Sequence, residues 1–361
     1  MISIQELLSK MVEAGASDLH VTTGRPPLFR VHGNLRAYMH DPLSPEDCLR
    51  LAYGVMNEGQ RKSFEQKKEY DFSFGVSNLA RFRANVFLQR GCVALAIRLI
   101  PFEIQTLEQL QLPPIFSEMC EKPTGLILVT GPTGSGKSTT LAAMLDKINS
   151  ELEGHILTVE DPIEFVHKHK KCIVNQREVK SDTDTFASAL RVALRQDPDV
   201  VLVGEMRDTE TMAAAMSIAE TGHLTLATLH TNSAAQTINR IVDAFPAGEK
   251  SQVRTQLSFV LQGVVSQTLV PKIGGGRILA YEVMTLTTGI RAMIRDDKIH
   301  QIQSAIEAGQ KYGMNTMNAK LVELVHQRKV ERSDALSRSP DPEHFERLFA
   351  SPASRGLAAH N

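Results

Sequence analysis

The residues Gly131-Pro132-Thr133-Gly134-Ser135-Gly136-Lys137-Ser138 follow the apolar run Gly125-Leu126-Ile127-Leu128-Val129-Thr130 and lead on into Thr139. An apolar run of this length predicts a buried strand, and the glycine spacing predicts a tight turn into a helix that starts near Lys137. Such a turn brings successive backbone N–H groups around a β-phosphate, and the helix N-terminus adds partial positive charge. Lys137 is then placed for the β- and γ-phosphates, and the Ser138 hydroxyl for Mg²⁺. The chemistry these residues point to is binding of a nucleoside triphosphate, ATP with Mg²⁺. Residues Gly131, Pro132, Thr133, Gly134, Ser135, Gly136, Lys137, Ser138 and Thr139 are the candidate nucleotide contacts.

Phosphoryl transfer also needs acids that hold Mg²⁺ and orient water, and cations that neutralise developing charge. Val200-Val201-Leu202-Val203-Gly204-Glu205 is an apolar run ending in a carboxylate. An apolar run with an acid at its end is weak evidence alone. After a P-loop in the same sheet it becomes a Walker B candidate, with Glu205 placed for Mg²⁺, directly or through water. Leu157-Thr158-Val159-Glu160-Asp161-Pro162-Ile163-Glu164 is a second strand ending in acids, either a solvated acidic turn or a catalytic cluster. His223 and His230 flank the run 224–229; a lone histidine is usually a core or loop residue, but His230 beside Thr228 and Thr231 suits a γ-phosphate sensor. Arg195, Arg207 and Arg240 are candidate charge clamps. Arg291 and Arg295, spaced i, i+4, share one helix face, which a solvated surface explains equally well. The run His167-Lys168-His169-Lys170-Lys171 reads as a solvated loop or strand edge, since no aromatic residues interleave with it.

These residues need two kinds of scaffold. Up to residue 100 the pattern is that of a small α+β domain. It has an amphipathic helix at 4–15, short strands at 19–22 and 28–32, and a helix from Pro45 capped by Ser44. Alternating strands follow at 71–76, 80–89 and 92–100. Residues 101–114, polar and flanked by prolines, read as an interdomain linker. From 115 to 340, strands at 125–130, 155–159, 200–203, 224–229 and 278–283 alternate with helices, which predicts a doubly wound α/β sheet with its ligand at the strands' carboxyl ends. Residues 287–335 read as mostly helical, and 341–361 as a poorly ordered tail.

The whole chain narrows the partners. Among 361 residues, 42% hydrophobic and 22% charged, 40 basic residues nearly cancel 41 acidic ones. That excludes the global basic field expected of a nucleic-acid binder. No apolar stretch is long enough to span a membrane, and no signal-peptide pattern opens the chain. Cys48, Cys92, Cys120 and Cys172 are scattered, so reduced thiols are expected and a zinc site is not.

Together these motifs resemble the secretion ATPase superfamily, and within it the type IV pilus retraction (twitching motility) ATPases. The resemblance runs from Ile4 to about residue 335. It is carried by Gly15-Ala16-Ser17-Asp18-Leu19-His20, Pro26-Pro27, Ala80-Arg81-Phe82-Arg83 and the P-loop. It is carried further by Thr158 to Glu164 (the Asp box), Gly204-Glu205-Met206-Arg207-Asp208 (Walker B) and His223 to His230 with Thr231-Asn232 (the His box). It implies a PAS-like N-terminal domain, a RecA-like P-loop ATPase domain with C-terminal helices, and a homohexamer with ATP bound between domains and against the next subunit. It assigns Glu164 as the water-activating base, Glu205 to Mg²⁺ and water, and His230 to γ-phosphate sensing. Arg83 and Arg98, with Arg81 as runner-up, would reach the phosphates. The segment Gly289 to Asp296 is similar in part to the family's Ala-Ile-Arg-Asn-Leu-Ile-Arg-Glu motif, keeping both arginines and both isoleucines. That motif is tied to retraction rather than hydrolysis. The implied setting is cytoplasmic, peripheral to the inner membrane, with a PilC-like platform protein as partner. Competing readings are a pilus-assembly or type II secretion ATPase and an accessory nucleotide-dependent switch. The tetracysteine zinc segment usual in the assembly and secretion enzymes has no counterpart here, and intact Lys137, Ser138, Glu164 and Glu205 argue for hydrolysis over a switch.

Overall fold

Alternation of polar and apolar residues in the first hundred positions folds into an antiparallel sheet with one apolar face. The structure, a computed structural model, describes residues 2–31, 33–38, 41–77, 79–100 and 103–351. It divides into two units, Met1–Glu103 with Glu164–Val166, and Ile104–Ile163 with His167–Asn361.

The first unit runs α1 (Ile4–Glu13), β1 (Asp18–Val21), β2 (Leu28–Val31), β3 (Asn34–Ala37), α2 (Pro45–Tyr53), α3 (Glu58–Lys67), β4 (Glu69–Val76), β5 (Ala80–Gln89) and β6 (Cys92–Ile100). The sheet order is β3-β2-β1-β6-β5-β4. In β5, Phe82, Ala84 and Val86 are buried and join Leu7, Leu8 and Met11 of α1 and Leu51 of α2 in one core. The intervening Arg81, Arg83 and Asn85 take the opposite face, as the two-residue period of a strand requires. Ser44 and Asp47 form a capping box ahead of Pro45. Helix α3 was not expected: only Phe64 of it is buried, so it lacks an apolar period, and its one signal is the Asn57–Gln60 capping box. The expected strand at 28–32 ends at Val31; His32 lies outside the described residues.

The second unit begins with α4 (Pro114–Cys120), β7 (Gly125–Thr130), α5 (Lys137–Glu151), β8 (His155–Glu160), β9 (Ile173–Glu178), α6 (Phe186–Ala193), β10 (Val200–Val203) and α7 (Thr209–Glu220). It continues with β11 (Leu224–Leu229), α8 (Ala234–Asp243), α9 (Lys250–Val260), β12 (Leu261–Pro271) and β13 (Arg277–Thr285). Helices α10 (Thr288–Arg295), α11 (Ile302–Ala308), α12 (Met317–His326), α13 (Arg332–Ser337) and α14 (Pro342–Ala350) complete it. The seven-stranded sheet has the order β13-β12-β7-β11-β10-β8-β9, parallel throughout except for the β12–β13 pair. Every residue of β7 and β11 is buried, which is why both read as continuous apolar runs. Leu141, Met144 and Leu145 of α5 cover one face, with Phe116 and Met119 of α4. Leu190, Met212, Ile238 and Leu257, from α6 to α9, cover the other.

Three expectations are corrected. The sheet has seven strands rather than five, because β9 is a polar edge strand and β12 carries Gln262, Ser266, Gln267 and Thr268 among its apolar residues. The linker is largely bound up in the second unit: Leu107 is buried and packs with Ile115 and Phe116, joined by Leu110 and Leu112. Its polar composition concealed these leucines; Pro101 and Phe102 lie outside the described residues. The tail carries α14, which Asp341 caps and Pro342 opens, and its Phe345 is fully buried against Met317 and Leu321 of α12. Residues 352–361 lie outside the described residues. All four cysteines are free. No helix among the described residues is long and apolar enough to cross a membrane.

The basic run after the acidic turn is built into this unit. The Asn149 side chain donates to the Lys168 carbonyl at 2.7 Å and accepts from the Lys170 N–H at 3.1 Å. The Lys170 ammonium donates to Asp146 at 2.8 Å. His167 is 8% exposed, and burial pushes its pKa down from 6.5 to about 4. Between those values the unfolded chain binds a proton that the folded one does not, so stability falls as pH drops through this window. The expected loss, on the order of 3 kcal/mol, should be seen in denaturant melts between about pH 7 and pH 4. His167→Phe should remove that part of the pH dependence.

Candidate functional site

Because β8, β10, β11 and β7 run parallel and in register, the loops that follow them emerge along one edge of the sheet. The P-loop follows β7. Gly131 has φ of 140°, and a Cβ there would stand 2.3 Å from the Gln267 carbonyl oxygen and 2.6 Å from Ser135 Oγ. No side chain fits, so glycine at this position is a steric requirement. Gly136, at φ of 92°, turns the chain into α5, which begins at Lys137. The Lys137 ammonium is buried and donates to the carbonyl oxygens of Gly131 (2.8 Å) and Pro132 (3.1 Å). It is thus held against the loop whose N–H groups would face phosphate. Ser138 and Thr139 are half-buried in the first turn of α5.

One loop over, Glu205 follows β10 and His230 follows β11, and the structure brings them together. His230 Nε2 lies 3.1 Å from Glu205 Oε1, and an Arg207 guanidinium nitrogen lies 2.7 Å from Oε2. Burial opposes the charge on Glu205, but the Arg207 hydrogen bond and the nearby His230 outweigh it and hold the carboxyl below its ordinary pKa. Glu205 therefore remains a carboxylate at neutral pH. The strands beneath are tied together: Gly204 N–H donates to Val159 at 2.8 Å, Met206 N–H to the Thr228 carbonyl at 3.1 Å, and the Thr228 hydroxyl to the Gly204 carbonyl. Thr228 is a site-supporting residue that sequence reasoning noted only as a neighbour of His230; a threonine within an apolar strand is its signal.

The acids at the end of β8 and beyond it each have their own surroundings. Glu160 accepts from the Thr158 hydroxyl (2.6 Å) and the Gln176 amide (3.1 Å). Asp161 lies 3.9 Å from the Lys180 ammonium. Glu164 is exposed and groups with the first unit. The Ile163 N–H is held instead by the buried Glu178, at 3.2 Å, an acid missed because β9 was missed. Arg195 and Arg240 are exposed. No group of three or more His, Cys, Asp or Glu residues among the described ones could hold a metal by itself.

In the first unit, Arg83 and Arg98 pair directly across β5 and β6, and Arg98 pairs in turn with Asp18 of β1. Arg98 Nε donates to Asp18 at 2.8 Å, and Arg30 on β2 stands 3.7 Å from the same carboxylate. Burial works against the Asp18 charge, but Ser17 and Arg98 hold its carboxyl below the usual range. One carboxylate thus tempers a row of like charges that would otherwise repel across the ladder.

A largely parallel sheet with a triphosphate loop after β7 and a tethered acid–histidine pair on the loops after the next two strands places the molecule among the P-loop nucleotide-binding α/β proteins. Residues 1–275 match the family described as Type II/IV secretion system protein, and the chain belongs to that family. It is 52% identical, over 95% of its length and the whole of the relative, to the type IV pilus retraction ATPase PilT of Pseudomonas aeruginosa. It is 49% identical to a twitching motility protein of Neisseria gonorrhoeae, covering 88% of this chain and 85% of that one. A solved structure of the pilus retraction motor PilT with bound ADP superposes with a TM-score of 0.91 at 53% identity, covering 96% of this chain and all of that one.

The two arginines of α10 have unequal surroundings. Arg291 donates to the carbonyl oxygens of Ser258 (2.6 Å) and Phe259 (2.9 Å), which end α9, so it acts as that helix's C-terminal cap. Arg295 is exposed and pairs with Asp296 at 2.9 Å. Arg291→Ala should cost about 1–3 kcal/mol in a denaturant melt by leaving those carbonyls unpaired. Arg295→Ala should leave the melt unchanged.

Proposed function

We propose that this protein is an ATP-hydrolysing motor that powers type IV pilus retraction and twitching motility. The observation that carries the hydrolytic part is the carboxylate of Glu205 held between Arg207 and His230, beside a P-loop that keeps Lys137 in place. The pilus part rests on full-length similarity to proteins named for retraction and twitching.

In this reading the P-loop N–H groups and Lys137 bind and orient the triphosphate. Glu205, charged at neutral pH, orients the attacking water, and His230 stands where the leaving phosphate is sensed. The donor set suits Mg²⁺: a half-buried Ser138 hydroxyl and a carboxylate are hard oxygen ligands. Glu205, held by Arg207 and His230, would hold the ion directly or through water. Bound there, Mg²⁺ supplies charge neutralisation at the β- and γ-phosphates. Glu164 is proposed as the water-activating base, and Arg83 and Arg98 as phosphate-contacting cations. The assembly is proposed as a homohexamer at the cytoplasmic face of the inner membrane, acting on a pilus platform protein.

Purified Lys137→Ala and Glu205→Ala should each lose ATP turnover by about a hundredfold or more. Near-normal turnover in either would end the enzyme reading. Deletion in the native host should give hyperpiliated cells that do not twitch; bald cells would instead mean an assembly motor.

A further inference from the structure

A fully buried acid lies on β13, in an otherwise apolar stretch. Glu282 is 1% exposed, between Tyr281 and Val283. A buried carboxylate is costly unless hydrogen bonds satisfy it, so its partners disclose what it holds. Its Oε1 accepts from the backbone N–H of Ala234 at 2.9 Å. Ala234 is the first residue of α8. The capping side chain of that helix, Ser233, accepts from a later N–H, that of Gln236. The first N–H of α8 is therefore left over, and Glu282 takes it. Burial pushes the Glu282 pKa up from its ordinary value, and the Ala234 N–H works against that rise.

Helix α8 starts four residues beyond His230. The loop between is drawn onto that helix by the Thr231–Thr237 hydroxyl contact at 2.7 Å and by the Asn232 N–H donating to Gln236 at 3.2 Å. Anchoring the start of α8 therefore fixes where His230 meets Glu205. The anchor also leads back to the P-loop. In the sheet register Glu282 lies opposite Ser266, and Ser266 opposite Thr130, whose hydroxyls are 2.8 Å apart. Thr130 is the residue before Gly131.

We propose that Glu282 is a positioning residue for hydrolysis: by holding the first N–H of α8 it sets the position of the His230 loop relative to Glu205. This rests on the reading of His230 and Glu205 as the working pair. Two substitutions remove the α8 bond. Glu282→Met deletes the acceptor at similar side-chain length. Ala234→Pro deletes the donor: proline is accepted at the first position of a helix, and Ser233 before it, at φ −151° and ψ 161°, is already in the extended region that proline demands of its predecessor. Its ring takes the space through which the N–H reaches Glu282, so the carboxyl shifts as well.

The test is steady-state ATP turnover and binding of a fluorescent ADP analogue by the full chain carrying His230→Ala, Ala234→Pro, Glu282→Met, or Ala234→Pro with His230→Ala. Ala234→Pro and Glu282→Met should each lower kcat about tenfold or more, with analogue affinity unchanged. In the His230→Ala background Ala234→Pro should bring no further loss, because both act through the same side chain. A merely structural defect would slow both backgrounds by the same factor, and that result overturns the proposal. So do normal rates in Ala234→Pro when His230→Ala is impaired. Normal turnover in His230→Ala would instead overturn the reading on which the proposal stands. If Glu282→Met does not fold, Ala234→Pro alone decides.

Discussion

The P-loop is braced from behind by β12, and much of the second unit is arranged around that contact. The Gln267 carbonyl lies so near Gly131 that a Cβ would approach it to 2.3 Å. On either side of this contact, Ser266 bonds Thr130 of β7 at 2.8 Å and the Gln267 amide donates to Thr140 of α5 at 2.7 Å. Strand, loop and helix of the phosphate cradle are thereby referred to one neighbouring strand. A loop that must present a set of N–H groups to a phosphate gains from being held before the ligand arrives, since ordering it on binding would cost affinity. β12 is in turn paired with β13 along its length, and β13 reaches the start of α8 through Glu282.

What could be read from the residues alone follows from how strongly the backbone dictates them. The P-loop is legible because its glycines are steric necessities and its strand is buried on both faces. Glu205 and His230 are legible because parallel strands deliver their following loops to one edge. Their meeting at 3.1 Å is then a matter of adjacent strand order. The elements that escaped are those whose sequence signal is faint: α3 with its single buried Phe64, β9 at a polar edge, and β12 with glutamines, serine and threonine among its apolar positions. Of the polar residues of β12, Ser266 and Gln267 bond the strand and helix that flank the P-loop, so the brace was hidden by the chemistry that makes it work. The acidic turn left two readings open, a solvated turn or a catalytic cluster; Glu160 and Asp161 each have a local partner, and Glu164 is exposed.

Charge is handled locally in both units. Nearly equal numbers of acids and bases in the whole chain say little about any one place. In the first unit Asp18 sits within a row of arginines, and in the second Arg207 and His230 share one carboxylate. Each arrangement leaves an acid ionised despite partial burial. Helix ends are treated likewise, Arg291 serving the carbonyls that close α9 and Glu282 the N–H that opens α8.

The brace behind the P-loop has a temporal side. Thr130 and Ser266 are 136 positions apart, and Thr140 and Gln267 are 127 apart. On a ribosome the glycine loop leaves the tunnel long before the strand that will hold it exists. Long-range pairings of this kind form late and slowly. The segment that looks most autonomous in the sequence, a short self-contained motif, is thus among the last to reach its working shape. A chain arrested before β12 would carry the whole motif and still lack the cradle.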